Sequence, residues 1–332
     1  MLLRQAVRWF PTVLFLLGVA VFAARLPGLA DGDWGRLATS ALYHGWLPAV
    51  ILVTSLSIRG RTTQHTVVAV FGGFFTAMFL ARALGELAGE VMGADDPWRL
   101  AVVVPLLEEA SKLVPILLVA AIWWGRRGSP GIVDHGLIGV ASGAGFAFHE
   151  DGLWQRLIGQ GFDGPTGWLL PQLHQGAAGG VIVGHAVWTG LVGLALGAAL
   201  TRRERIWWLV AGATFAMVVF DHGSWNNLEL REGWRFLLAN GWLPAAVFLV
   251  GLALAHVVDL RALRSISAHV RVRPGEVPGY TIGGGEGGPF GRFRFAWRMV
   301  RISALAAHGA VRSPTRRPTH AADATPTQEV VA

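Results

Sequence analysis

The chain of 332 residues contains no cysteine and only one lysine, and charged residues make up only 15% of it. The absence of cysteine excludes a disulfide framework and a thiol nucleophile, and it restricts any metal site to nitrogen and oxygen ligands. What is abundant instead is apolar: hydrophobic residues make up 53% of the chain, with 44 glycines and 15 tryptophans. This composition is typical of packed transmembrane helices with aromatic residues at the membrane surfaces.

Eight apolar stretches are long enough to cross a bilayer as helices. They lie at about residues 9–26, 41–58, 66–90, 98–124, 132–150, 174–200, 206–226 and 240–259. Arginines precede the first stretch and occupy every second connection after it, whereas the other connections are rich in Asp and Glu. The positive-inside rule then places both termini in the cytoplasm. We therefore predict an all-α fold, a polytopic integral membrane helical bundle with about eight transmembrane helices. No convincing signal-peptide cleavage site follows the first stretch, so we expect it to stay as an anchor.

The last part of the chain differs in character from the rest. From residue 261 to 332 there are eleven arginines and four acidic residues, so this segment carries the whole net charge of +7. Its glycine-rich and Pro-, Thr- and Ala-rich stretches cannot bury a core. We predict a helical bundle over residues 1–260 and a largely disordered, basic cytoplasmic tail over 261–332. The tail is expected to contact lipid headgroups, and nucleic acid is not an expected partner.

The fourth apolar stretch contains two adjacent glutamates and the only lysine of the chain: Glu108, Glu109 and Lys112. On insertion scales each ionisable side chain costs about 2.5–3.5 kcal/mol near the membrane centre, so three within five residues need a reason. Spacings of three and four residues allow one ammonium group to reach both carboxylates on a single helix face. A purely structural ion cluster is the alternative, but we predict a functional site.

The next three stretches each contain a polar motif. Glu150 follows Phe146 by one turn in the fifth, and His185 lies within the otherwise apolar sixth. In the seventh, His222 and Asn226 are four residues apart and therefore share a helix face.

The predicted topology puts all of these polar residues in the outer half of the bilayer. The two adjacent glutamates and His185 would lie roughly 15 Å below the outer face. Imidazole and carboxylate groups are suitable zinc ligands, and a metal ion that activates water allows a protein to hydrolyse an amide without a serine or cysteine nucleophile.

The order of these motifs along the chain resembles the PrsW family of intramembrane proteases, within the wider CAAX-protease and bacteriocin-processing group. The matching elements are Glu-Glu-x-x-Lys, Phe-x-x-x-Glu, an isolated histidine and His-x-x-x-Asn, all within residues 98–230. The wider group has histidine where this chain has Glu150 and arginine where it has Lys112, and both departures favour the PrsW branch. The resemblance implies a multi-pass protease of the bacterial plasma membrane that depends on a divalent metal, Zn²⁺, and cleaves a single-span membrane protein near its extracytoplasmic side. In the best-known member the substrate is an anti-sigma factor.

On this basis we predict three metal ligands and four catalytic residues. The metal ligands are Glu150, His185 and His222. The catalytic residues are Glu108, Glu109, Lys112 and Asn226. One of the two adjacent glutamates acts as general base on water while the other binds metal or orients the cluster, and the lysine keeps both ionised. The asparagine is positioned to stabilise the oxyanion of the tetrahedral intermediate.

Three other functions remain open at this stage. A proton-coupled transporter also uses intramembrane Glu, His and Lys, but it would contain inverted repeats, and we find none. A CAAX-type prenyl protease would open toward the cytoplasmic leaflet, against the outer-half depth of the polar residues. A catalytically silent relative could serve as a membrane scaffold, although the motif set is complete.

Two further patterns are interpreted as structural. Arg82, Glu86 and Glu90 lie at helical spacing in the third stretch and predict an ion cluster. Pairs of glycines four residues apart predict close helix contacts. These pairs are Gly139 with Gly143, Gly176 with Gly180, Gly180 with Gly184, and Gly193 with Gly197.

Overall fold

A computed structural model describes residues 16–20, 34–55, 62–124, 130–150, 174–175, 181–202 and 204–269. The chain divides into two units, Met1–Ala262 and Leu263–Ala332, and the contacts described below lie in the first. Most of the first predicted span, nearly all of the basic tail and the glycine pair at 176 and 180 lie outside the described residues.

The described residues are almost entirely helical, which confirms the predicted all-α class. The α-helices are α1 (Trp34–Thr54), α2 (Thr62–Phe71), α3 (Met78–Met92), α4 (Val104–Trp124), α5 (Ile132–Ala147), α6 (Gly184–Arg202), α7 (Arg205–Asn226), α8 (Leu228–Gly233) and α9 (Trp242–His269). A π-helical segment, Gly72–Ala77, joins α2 to α3, and a second, Arg99–Val103, runs into α4. A 3₁₀ segment, Arg235–Gly241, precedes α9.

Four helical stretches have the length and apolar composition needed to cross a membrane. They are His65–Met92, Gly184–Arg202, Arg205–Asn226 and Arg235–Ala262. Many of their large apolar side chains face outward, as lipid-facing residues do, including Leu209 (69% exposed) and Leu254 (60% exposed). The chain is therefore a membrane protein with several span-like helices.

α5 forms the centre of the bundle, and all sixteen of its residues are buried. Its closest neighbour is α6, because glycines let the two backbones touch. A Cβ atom on Gly143 would lie 2.2 Å from the carbonyl oxygen of His185, and one on Gly139 would lie 2.4 Å from that of Thr189. From the other side, a Cβ atom on Gly193 would lie 2.6 Å from the His135 oxygen. The predicted close contact at these glycines is confirmed.

α9 holds the N-terminal end of α5 in place. The Asp259 carboxylate accepts hydrogen bonds from the backbone N–H groups of Ile132 (3.2 Å) and Val133 (2.9 Å). These N–H groups lack partners within their own helix, so the carboxylate satisfies them and also interacts favourably with the helix dipole.

The predicted sixth span, 174–200, is wrong at its start. Two short antiparallel strands, β1 (His174–Gln175) and β2 (Val181–Ile182), occupy this region, and α6 begins only at Gly184. The strand pairing uses the backbone in extended form, and Gly184 then takes a positive φ of 71°, which separates strand from helix. His185 therefore lies in the first turn of its helix and not several turns inside it.

Candidate active site

The glutamates and the lysine of α4 form a buried ion cluster. Lys112 and Glu109 are 0% and 1% exposed. Lys112 Nζ lies 2.7 Å from Glu109 Oε1 and 3.8 Å from Glu108 Oε2, so one ammonium group reaches both carboxylates, as the spacing predicts. Phe146 of α5 covers the same group, with its ring centroid 4.1 Å from Nζ. This cation–π contact gives a structural reason for the phenylalanine of the second motif.

His185 connects this cluster to α5. Its Nδ1 lies 2.6 Å from Lys112 Nζ, and its Nε2 lies 2.8 Å from Glu150 Oε2. An ammonium group can only donate, so Nδ1 accepts and the ring proton is assigned to Nε2. Nε2 is in close contact with Glu150 Oε2, but this oxygen has no hydrogen-bond partner within the described residues.

His222 of α7 approaches the two glutamates from another direction. Its Nδ1 lies 2.9 Å from Glu109 Oε1 and its Nε2 lies 3.6 Å from Glu108 Oε2. Because an ionised carboxylate only accepts, Nδ1 donates to Glu109 and the lone pair of Nε2 points toward Glu108. A histidine fixed by a carboxylate on one nitrogen and open on the other has the arrangement of a metal ligand. Glu109 therefore orients His222.

The donor atoms of this polar cluster fit a divalent metal. One ligand atom from each of Glu108, His185 and His222 lies within 4.8 Å of the other two. Within the described chain, one carboxylate oxygen of each of Glu108, Glu109 and Glu150 (Oε2) is buried and has no hydrogen-bond partner. The carboxylates of Glu108, Glu109 and Glu150 outnumber the one ammonium group, which favours a further cation. Nitrogen and oxygen donors of this kind suit zinc.

The structure thus brings together six of the seven predicted site residues. Glu150, predicted as a metal ligand, pairs with His185, and Glu108, predicted as catalytic, joins the group of possible ligands. Asn226 lies apart: it is exposed in the last turn of α7, one turn beyond His222, and no hydrogen bond links it to the cluster within the described residues.

A second layer of buried residues supports His222. Trp188 stacks on its ring with centroids 4.6 Å apart and planes 15° apart. The indole N–H of Trp188 donates to Asp221 Oδ2 at 2.9 Å, and Arg235 Nε donates to Asp221 Oδ1 at 3.1 Å. Arg235 also donates to the backbone oxygen of Val181 in β2 (2.5 Å). The 3₁₀ segment and the β2 strand therefore brace the site.

The sequence interpretation missed most of this layer. Trp188 lies three residues after His185, which is a usable signal because it places both on one helix face. Asp221 adjoins His222 in sequence, and a carboxylate near a predicted span end is as typical of the membrane interface as of a support for His222. Arg235 lies in a predicted external connection, and nothing in the sequence linked it to the site.

All the helices that supply the polar cluster fall within one family match. A model of the PrsW family of intramembrane metalloproteases matches residues 61–255, more than half of the chain. The chain belongs to the PrsW family. This PrsW-family protein is accordingly an intramembrane metalloprotease. No curated protein and no solved structure matches it.

Proposed function

We propose that this PrsW-family protease cleaves a single-span membrane protein close to the extracytoplasmic face of a bacterial plasma membrane. The observation that carries the proposal is the convergence of buried and half-buried carboxylates, an ammonium group and two imidazoles from four helical segments. These groups lie toward one end of the bundle, near the start of α6 and the ends of α5 and α7. An anti-sigma factor is the kind of substrate that the family resemblance suggests.

The proposed membrane arrangement rests on the charge pattern of the connections. Eight spans with both termini in the cytoplasm put the ends of α5 and α7 at the outer face, and the polar cluster with them. Residues 1–260 form the bundle, and the basic segment 261–332 lies against anionic lipid headgroups of the inner leaflet.

We propose that Glu150, His185 and His222 hold the divalent metal, which we take to be Zn²⁺. When bound, such an ion supplies Lewis-acid polarisation and lowers the pKa of water. The 2.8 Å separation of His185 Nε2 and Glu150 Oε2 suits two ligands of one ion. Because the ring proton is assigned to Nε2, metal binding at this nitrogen would be coupled to loss of that proton.

The other predicted site residues have proposed roles in proton transfer, charge balance and stabilisation of the oxyanion. Glu108 is the proposed general base, because its side chain lines the cavity, whereas Glu109 is buried and hydrogen-bonded to Lys112 and His222. Glu109 orients His222, and Lys112 balances the charge of both glutamates. Asn226 is exposed one turn beyond His222, and we propose that its amide N–H groups donate to the oxyanion of the substrate.

Metal analysis combined with a cleavage assay tests these roles. The full chain, reconstituted in liposomes with Zn²⁺ and single-span substrates from its host, is compared with three variants. Glu108→Gln should lower cleavage by about 10²–10⁴-fold while bound zinc stays near the parent level. Glu150→Gln should lose both zinc and cleavage, and Glu204→Gln, an exposed carboxylate before α7, should change neither.

Two results would contradict the proposal. If Glu108→Gln lost zinc as fully as Glu150→Gln, Glu108 would be a ligand and not the base. If the parent cleaved no substrate but moved protons across the vesicle membrane, the site would serve a carrier.

A further inference from the structure

A cavity of about 310 Å³ extends from the polar cluster toward α3. Its walls come from the first π-helical segment, from α3, and from the helices that carry Glu108 and Glu150. Apolar side chains make up much of the lining, while charged groups occur at separate points along it. The residues used below are Phe75, Phe79, Arg82, Arg99, Glu108 and Glu150.

Arg99 is the residue of this lining whose positive charge is not balanced by a carboxylate within the described residues. Its terminal nitrogens donate to the backbone oxygens of Ala94 and of Gly85, the latter at 3.2 Å. Its Nε is buried and has no acceptor within the described residues. No carboxylate forms an ion pair with Arg99 in that part of the chain. Arg99 is half-buried and lines the cavity, so its unbalanced positive charge is available to pair with an acidic group of an occupant.

Arg82, which lines the same cavity, differs from Arg99 because it forms an ion pair. Its Nε lies 2.7 Å from Glu86 Oε1, so its charge is balanced within α3, as the sequence spacing predicts. The described lining as a whole contains two guanidinium groups and three carboxylates, and Glu108 and Glu150 lie at the end opposite Arg99. Positive charge without an ion pair is therefore confined to the end of the cavity at Arg99, and an anionic group of an occupant is favoured only there.

The backbone is π-helical at three points along the cavity lining. Phe75 lies in the first π-helical segment, Arg99 begins the second, and Glu150 belongs to a π-helical turn that includes residues 148–150. π-helical turns are rare and often occur at functional sites. Three such turns on the lining of one cavity indicate that it is shaped for binding and is not a packing defect.

The distance from Arg99 to the proposed base, Glu108, gives the number of substrate residues that fit between them. Arg99 precedes Glu108 by nine residues of nearly continuous helix, which corresponds to about 13 Å along the axis. An extended peptide advances about 3.3 Å per residue, so this distance spans roughly four residues.

We infer that this cavity binds an extended segment of the substrate, and that Arg99 pairs with an acidic side chain about four residues from the cleaved bond. The inference rests on the proposed protease function and adds a substrate class to it. Arg99 is then a specificity-determining residue that holds the substrate in register, while the chemistry occurs at the other end of the cavity.

Peptides that differ at one position test this inference. The probes are synthetic single-span peptides with one apolar segment, in which a single Asp is placed in turn at each of six positions on either side of the central bond. Matched peptides carry Asn instead. Binding is measured with the Glu108→Gln variant of the full chain in lipid nanodiscs, and cleavage is measured with the parent in liposomes containing Zn²⁺.

We expect the Asp peptide to bind about tenfold more tightly than its Asn partner at one position, and cleavage by the parent to show the same preference about four residues from the bond. The preference should disappear when Arg99→Gln is added and should persist with Arg205→Gln, an exposed arginine at the start of α7. Zinc content checks that the Arg99→Gln protein is folded, and the Asp-to-Asn comparison requires no change in the protein.

Equal binding of Asp and Asn peptides at every position would overturn the inference, as would a preference that survives Arg99→Gln. Cleavage by the parent without an Asp preference would leave the protease function intact and the inference wrong. An Asp preference in binding, lost in Arg99→Gln, with no cleavage of any peptide, would support Arg99 as the anion-binding residue and count against the proposed function.

Discussion

Trp188 lies flat on the imidazole of His222, with ring centroids 4.6 Å apart and planes 15° apart. The same imidazole donates from Nδ1 to Glu109 Oε1. Behind the indole, Asp221 accepts from both Trp188 and Arg235. His222 is thus fixed on one edge and one face before any metal binds, so its second nitrogen has a defined direction.

We predict that Trp188→Leu lowers the rate of peptide cleavage by about 10–100-fold, because outer partners of metal ligands typically contribute this much. Trp188→Phe keeps a ring against the imidazole but loses the N–H donor, so its loss should be smaller. Cleavage rate and zinc bound per chain are the measurements. Trp208→Leu, an indole of α7 that is 51% exposed, is the control. A parent-like rate in Trp188→Leu would show that the stacking has no role in catalysis.

We predict that Gly143→Ala both destabilises the protein and abolishes most activity. The new methyl group would lie 2.2 Å from the carbonyl oxygen of His185, and a backbone atom cannot move aside as a side chain can. α5 and α6 must separate, which withdraws His185 from Lys112 and Glu150. Overpacking of this kind costs about 1–3 kcal/mol or more, and thermal unfolding in detergent measures it.

Gly212→Ala is the matched control for that substitution. A Cβ atom at Gly212 meets nothing within 4 Å, so α7 should tolerate the methyl group without loss of stability or activity. Equal effects of the two substitutions would mean that helix propensity, and not the contact between α5 and α6, determines the outcome.

We predict that Lys112→Met destabilises the fold by about 3–5 kcal/mol, the usual cost of removing one partner from a buried ion pair. The substitution leaves Glu109 buried without its opposite charge and removes the donor to His185. The double variant Lys112→Met with Glu109→Gln should regain part of the stability, because no unpaired buried charge remains at that position. Neither variant should cleave substrate. The measurement is the midpoint of thermal unfolding of the single and double variants. A double variant no more stable than Lys112→Met would show that an unpaired charge on Glu109 is not the cause of the destabilisation.

The proposed topology predicts the location of four connections. Reporter fusions after residues 128 and 203 should be active only in the cytoplasm, and fusions after residues 163 and 232 only outside it. The arginines that follow the fourth and sixth predicted spans are the physical reason. A reversed pattern would place the polar cluster in the inner half of the membrane and contradict cleavage near the extracytoplasmic side.

Helix positions were largely predictable where hydrophobicity alone decides them. The predicted seventh span, 206–226, matches α7, Arg205–Asn226, because charged residues flank a continuous apolar run. The start of the predicted sixth span, 174–200, was not predictable from hydrophobicity. Residues 174–183 contain no Asp, Glu, Lys or Arg, so no charge marks a boundary there, and the pairing of β1 with β2 is a tertiary contact that composition does not reveal. The π-helical turns could not be predicted from the sequence either, because a change of helical winding does not alter the hydrophobicity or composition of a segment.

The core of the site was predictable because ionisable residues stand out in apolar helices. Glu108, Lys112 and His185 come together as their isolation suggested. The sequence alone does not divide the roles of the two glutamates. In the structure Glu109 lies closer than Glu108 to both Lys112 and His222. Trp188 and Asp221 were not identified because buried tryptophans and interfacial carboxylates are ordinary in membrane proteins.

The π-helical segment at Gly72–Ala77 shapes the wall of the cavity without changing the direction of α3. A π-helical turn closes its hydrogen bonds over five residues instead of four, so it accommodates one extra residue without shifting the helix ends. Deleting one residue there would restore α-helical winding and leave Phe79 and Arg82 facing the cavity. The widened turn that brings Phe75 to the cavity wall would be lost. Such a deletion would therefore alter the shape of the cavity through the backbone alone, with every charged side chain of the lining kept.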